Sequence, residues 1–163
     1  MRIHGKGKIV NISSETTLNP GPMVPVYAAS KCAVEGFTEA LKKEVAAFNI
    51  RVLLVHPGGI RTRFITKTPV TEIREEYRGT AEEFVAQFFQ TVAGKEKIDP
   101  EKATGRIVEA VDETGMLKKL VGQVYLRIPM GQDIADRLRE KGKDFLHSAE
   151  TFDEICQSVE YTD

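Results

Sequence analysis

The run Ile50-Arg51-Val52-Leu53-Leu54-Val55-His56 is apolar almost without interruption and is stopped by Pro57-Gly58-Gly59. A strand with one wet face alternates polar and apolar residues. A short continuous run rich in valine and leucine, bounded by proline and glycine, describes a strand covered on both faces, as in a parallel sheet. Parallel strands need crossover connections, so helices must lie between this strand and its neighbours.

The rest of the chain supplies them. "GKIVNIS" from Gly7 reads as a first strand with its body at Ile9–Ser13, followed by a proline-rich loop from Glu15. Its Asn11-Ile12-Ser13 has the letters of a glycosylation sequon, which a buried strand would not present. From Val26 to about Phe48 the spacing of Ala33, Phe37, Leu41, Val45 and Phe48 predicts a long helix. Thr80 can cap a helix carrying Phe84, Val85, Phe88, Phe89 and Val92, and Asp99-Pro100-Glu101 starts another that stops before Gly115. "GQVYLRIP" from Gly122 alternates as a third strand ended by Pro129, and Gln132 opens a last amphipathic stretch. The expected fold class is α/β: three parallel strands with covering helices.

A length of 163 residues suits one domain, and 23 Lys plus Arg against 24 Asp plus Glu leave a net charge of -1. That balance gives no electrostatic reason to expect nucleic acid or an anionic membrane as partner. No apolar run reaches bilayer-spanning length, and Cys32 and Cys156 have neither metal-ligand nor redox spacing. The expected location is the cytoplasm. Cys32 reads as a packing residue and His56 as a structural strand-end histidine.

Chemistry concentrates near the expected carboxyl ends of the strands. Tyr27 and Lys31 stand four residues apart at a helix start and share one face. A free phenol is a poor proton donor or acceptor at neutral pH, and a nearby ammonium favours its ionised form. Alone, the pair reads equally well as a half-buried tyrosine beside a solvated lysine. Ser14 at the end of the first strand, and the Pro57-Gly58-Gly59-Ile60 turn with Thr62 at the end of the next, bring further groups to the same crevice. Glu15 and Thr16 are candidates for touching substrate.

The motifs "IVNISS" (Ile9–Ser14), "YAASK" (Tyr27–Lys31) and "IRVLLVHPGGIRT" (Ile50–Thr62), with their spacing, resemble the short-chain dehydrogenase/reductase family. The resemblance continues through "DPEKATGRIVEAV" and "VYLRIPMGQDIADRLREK", and so covers nearly the whole chain. It implies a doubly wound Rossmann-type fold and hydride transfer between NAD or NADP and an alcohol or carbonyl substrate. By that resemblance Ser14 would hydrogen-bond the substrate oxygen, and Tyr27 would give or take the proton. Lys31 would hold the nicotinamide ribose. Pro57, Gly58, Ile60 and Thr62, together with Tyr27 and Lys31, would form the cofactor-binding set. No metal is implied. Residues 63–93 correspond to the family's substrate lid, where Phe64 could line an apolar pocket while Phe84 and Phe88 fit core packing better. Residues 130–163 correspond to a C-terminal helical segment.

The family's glycine-rich turn after its first strand is not found here, because Gly5-Lys6-Gly7 leads into a strand rather than out of one. Residues 1–163 are therefore expected to form one partial domain, the catalytic half of the family fold, lacking the N-terminal cofactor-binding half. The isolated chain is expected to be inactive. Its first strand would present an apolar edge for a second copy or another partner to cover, and the small residues Ala28, Ala29, Ala33 and Gly36 could allow close helix approach.

Overall fold

The computed structural model describes residues 1–68 and 72–161. Its sheet contains β1 (Gly7–Ile12), β2 (Ile50–Pro57) and β3 (Arg127–Met130), all parallel and ordered β1-β2-β3. Among the described residues six α-helices connect or follow them: α1 (Pro25–Val45), α2 (Arg63–Lys67), α3 (Ala81–Val92), α4 (Pro100–Asp112), α5 (Gln132–Thr151) and α6 (Asp153–Ser158). This is the α/β class that the apolar run demands.

Register explains why β2 carries no alternation. Val10 pairs with Leu53, Asn11 with Leu54 and Ile12 with Val55, while Ile128 stands opposite Val55 from the other side. Val55 packs with Ala103 of α4 and with Met130, joined by Val10, Ile107 and Ile128. The opposite face meets α1: Asn11 Nδ2 donates to Thr38 Oγ1 at 2.8 Å, and His56 reaches Glu35. Helices thus cover both faces, and Val52, Leu53, Leu54, Val55 and His56 are all buried.

Several local signals decide the element ends. Asp99 Oδ1 accepts from the amides of Glu101 and Lys102, the cap that Asp-Pro-Glu promises. α4 ends on Glu113, whose left-handed φ of 58° is accompanied by a 2.8 Å ion pair to Arg51. Gly131 joins β3 to α5 at φ 116°, a conformation that side chains rarely adopt.

Four expectations need correction. The third strand is shorter than the alternation suggests, and it runs through Pro129 to Met130 instead of stopping there. Leu126 O accepts from Leu54 N and Met130 O from Gly58 N, so Pro129 falls on the residue parity whose nitrogen faces the open edge. On α1 the inward residues are Ala28, Val34, Thr38 and Leu41; Ala33 and Phe37 face out, the latter 61% exposed. Phe84 and Phe88 are exposed as well, so core packing is not their role, and Cys32 is exposed rather than packed. Pro69, Val70 and Thr71, inside the expected lid, lie outside the described residues. No helix among the described residues is long and apolar enough to cross a membrane.

Candidate active site

β1 and β2 both end at the same edge of the sheet, and α1 starts beside it. Ser13 N still bonds Val55 O at 2.8 Å, after which the chain turns away. Ser14 caps the next short turn, Glu15–Thr17: its Oγ accepts from Thr16 N at 3.2 Å and its carbonyl accepts from Thr17 Oγ1 at 2.9 Å. That turn packs against α1.

Val24 and Pro25 set the start of α1, with proline in the first turn where its missing N–H costs nothing. Tyr27 and Lys31 follow on one face. Lys31 Nζ lies 5.8 Å from the Tyr27 ring centroid and donates to Ile12 O at 3.1 Å, two residues before Ser14. An ammonium has three donors, so two of those on Lys31 remain for other acceptors. The Tyr27 ring also meets Phe64 of α2, with centroids 6.2 Å apart. Of the three phenylalanines considered for an apolar pocket, Phe64 is the one that meets Tyr27.

The β2 end contributes Pro57 through Thr62. Gly58 N donates to Met130 O at 3.0 Å, and a Cβ on Gly58 would come within 3.0 Å of Ile134 in α5, so this glycine serves close packing. Gly59 is exposed, and Ile60 pairs with Ile98 in a short parallel bridge. Thr62 caps α2, its Oγ1 accepting from Phe64 N at 3.2 Å. The loop bearing Ile98 also carries Glu96, a buried carboxylate whose oxygens have no partner among the described residues.

Glu15 and Glu35 add the electrostatics. Burial raises the Glu15 carboxyl above its ordinary value, partly offset by Arg137 at 3.0 Å and reinforced by Asp133. Burial would likewise push Glu35 up, but hydrogen bonds, that from His56 first, outweigh it and hold the carboxyl at about 2. Ser13 Oγ donates to Glu35 Oε1 at 2.8 Å, His56 Nε2 meets the same oxygen at 2.7 Å, and Arg127 Nη2 lies 3.4 Å from Oε2. Sequence reading assigned Glu35 no role. The available signal was its position four residues beyond Lys31, which puts a carboxylate on the sheet-facing side of α1.

A depressed carboxyl stabilises the fold above its unfolded value of 4.5, and that contribution is lost as pH falls from there through about 2. Glu35→Gln is therefore expected to cost about 2 kcal/mol near neutral pH, after allowing for solvent screening. The gap to wild type should shrink by about 1 kcal/mol between about pH 6 and about pH 3 in urea unfolding. A gap that stays constant across this window would exclude ionisation of this carboxyl as its source.

The structure thus brings Tyr27, Lys31 and the Ser14 turn together around the start of α1, with Pro57, Gly58, Ile60 and Thr62 along the neighbouring strand end. Among the described residues no cluster of histidine, cysteine or carboxylate could hold a metal ion.

Comparisons with known proteins bear on the family and the fold. Residues 1–72 match the family model described as short chain dehydrogenase. The oxidoreductase claN of Passalora fulva is 42% identical over 86 residues, which are 53% of this chain and 39% of that protein. A 3-ketodihydrosphingosine reductase of Bacteroides thetaiotaomicron is 41% identical over 85 residues, 52% of this chain and 32% of that one. A crystal structure of a short-chain dehydrogenase from Streptomyces avermitilis superposes with a TM-score of 0.73 at 27% identity, covering 98% of this chain and 54% of that chain. The chain spans well under two thirds of the length of each of these relatives.

Proposed function

This chain belongs to the short-chain dehydrogenase/reductase family, and from that premise we propose that it supplies the catalytic half of an NAD(P)-dependent enzyme interconverting an alcohol and a carbonyl. The observation that carries the proposal is the Lys31 ammonium 5.8 Å from the Tyr27 ring, on the helix face beside the turn that Ser14 caps.

In this reading Tyr27 moves the proton to or from the substrate oxygen, and Ser14 hydrogen-bonds that same oxygen. Both are donors fixed in advance where negative charge develops, so little reorganisation is needed during reaction. The nicotinamide, when bound, supplies or accepts the hydride. The residues present suit its nicotinamide end. Lys31 keeps donors for the ribose hydroxyls, and the exposed backbone at Gly59 with the Thr62 hydroxyl is open to a carboxamide. The glycines after β2 are taken up elsewhere, Gly58 by packing on Ile134 and Gly59 O by Ile98 N, and they lead only to the short α2, so among the described residues no glycine-rich strand–turn–helix is left to accept a pyrophosphate. The 163-residue chain by itself is accordingly proposed to lack turnover. The stretch 63–93, including Phe64 beside Tyr27, is proposed to border the substrate, with residues 130–163 as a helical segment beyond.

The test has two parts: the intact mass of the protein as its host makes it, and NAD(P)H oxidation by that protein and by the pure 163-residue chain over a panel of ketones and aldehydes. Turnover by a longer host protein and none by the chain alone is the expected result. Steady consumption by the chain alone would overturn the proposed incompleteness. A host protein of any length without turnover would favour the second reading, a non-catalytic relative that associates with itself or with a full-length paralogue. The observation behind that alternative is the outward face of α1, where Ala29, Ala33, Gly36 and Phe37 are exposed. Ala28 is buried and takes no part in it.

A further inference from the structure

Three strands converge on one side chain. Glu35 accepts from Ser13 after β1, from His56 in β2 and from Arg127 at the start of β3. Two of these partners stand one residue from the proposed machinery: Ser13 directly precedes Ser14, and His56 directly precedes the Pro57-Gly58 turn. The ring of His56 is 0% exposed, and its Nδ1 has no partner among the described residues, so its one polar anchor is the Nε2 contact with Glu35. Because Glu35 is ionised and can only accept, the ring nitrogen in that contact, Nε2, carries a hydrogen.

A hydrolytic role for the Ser13, Glu35 and His56 set is excluded by geometry. Ser13 is 2% exposed, and serine and histidine both donate into the carboxylate instead of one activating the other.

We propose that Glu35 is a positioning residue: one carboxylate fixes the separation between the turn beginning at Ser14 and the segment Pro57–Thr62. It thereby sets the distance between the substrate-oxygen side and the nicotinamide side of the reaction site. The role rests on the redox reading above. Its physical basis does not, because buried groups that lose a charged acceptor leave their hydrogens unsatisfied and move to find new partners. The neighbours on α1 differ in kind. Lys31, one turn before, ties to Ile12 O, and Glu39, one turn after, reaches Arg127.

Amide hydrogen exchange on the 163-residue chain tests this, comparing wild type, Glu35→Gln and Glu39→Gln. The reporters are Thr16 and Thr17 in the first segment and Gly58 and Arg61 in the second, all hydrogen-bonded amides. Glu35→Gln is expected to speed exchange at both segments by about tenfold more than at α4, whose amides follow the global loss of stability alone, and Glu39→Gln to leave both unchanged. Nitrogen NMR of His56 should report hydrogen on Nε2 in wild type and a mixture of tautomers in Glu35→Gln. Unmoved segments in Glu35→Gln, or equal acceleration everywhere including α4, would overturn the proposal. In any host protein with turnover, Glu35→Gln should lower kcat about tenfold with KM for the carbonyl changed less than about twofold. Unchanged kcat there would also overturn it. Absence of turnover in wild type counts against the redox reading alone, since exchange and NMR decide this one without it.

Discussion

Tyr27→Phe is expected to lower kcat by about 10³-fold in any protein that carries this chain and turns over NAD(P)H, with KM for the carbonyl changed only a few-fold. Phenylalanine keeps the ring, and with it the contacts to Phe64 and to the Lys31 ammonium, so the fold has no reason to change. Only the hydroxyl goes, and with it the proton that, on the proposed mechanism, must reach or leave the substrate oxygen as hydride moves. General acid–base groups contribute about 10²- to 10⁴-fold, and free water is a poor substitute for a donor held in place. Ser14→Ala offers the internal comparison: it removes one hydrogen bond to the same oxygen and should cost about 10²-fold. A Tyr27→Phe protein retaining activity within about tenfold of wild type would move the proton chemistry to another residue.

Leu53→Ala carries the largest expected effect on stability, about 3 kcal/mol or more. Leu53 is fully buried, at the centre of the one strand that has partners on both sides. Its register with Val10 puts it on the face where α4 supplies Ala103 and Ala110, both small and both buried. Alanine there leaves a cavity that two further alanines cannot collapse to fill. Typical domains are stable by about 5–15 kcal/mol, so this substitution alone should remove a large fraction. Val124→Ala is the control: Val124 is 89% exposed and should change stability by less than about 0.5 kcal/mol. Urea midpoints at unchanged slope give both values, and a Leu53→Ala loss below about 1 kcal/mol would mean that this core repacks freely.

Residues whose role depends on close neighbours in sequence were legible before any coordinates. Tyr27 and Lys31 share a helix face by their spacing alone, Asp99 caps by its place before Pro100, and the run from Ile50 announces a strand buried twice. Glu35 was not legible, because its partners lie 22, 21 and 92 residues away. Only the assembled sheet brings Ser13, His56 and Arg127 to one carboxylate. The reading of α1 failed for a related reason. Spacing of three and four fits the set with Ala33 and Phe37 as well as the set with Val34, Thr38 and Leu41. Polar chemistry selects the second, since Thr38 accepts from Asn11 of β1. Val124 misled in the same way: its alternation with Leu126 and Ile128 is real, but the bonded ladder begins only at Leu126.

The three-strand order gives the molecule a built-in sequence of failure. Among the described residues each outer ribbon is zipped along one flank only, whereas β2 is zipped along two. Under heat or pulling, either margin can peel off while the middle keeps its other seam. The Pro57–Thr62 segment, rooted in that middle, should therefore outlast the Ser14 turn, which hangs from a margin. On the proposed reading of the site, a partly melted molecule would lose its hold on the reacting oxygen before its hold on the nicotinamide.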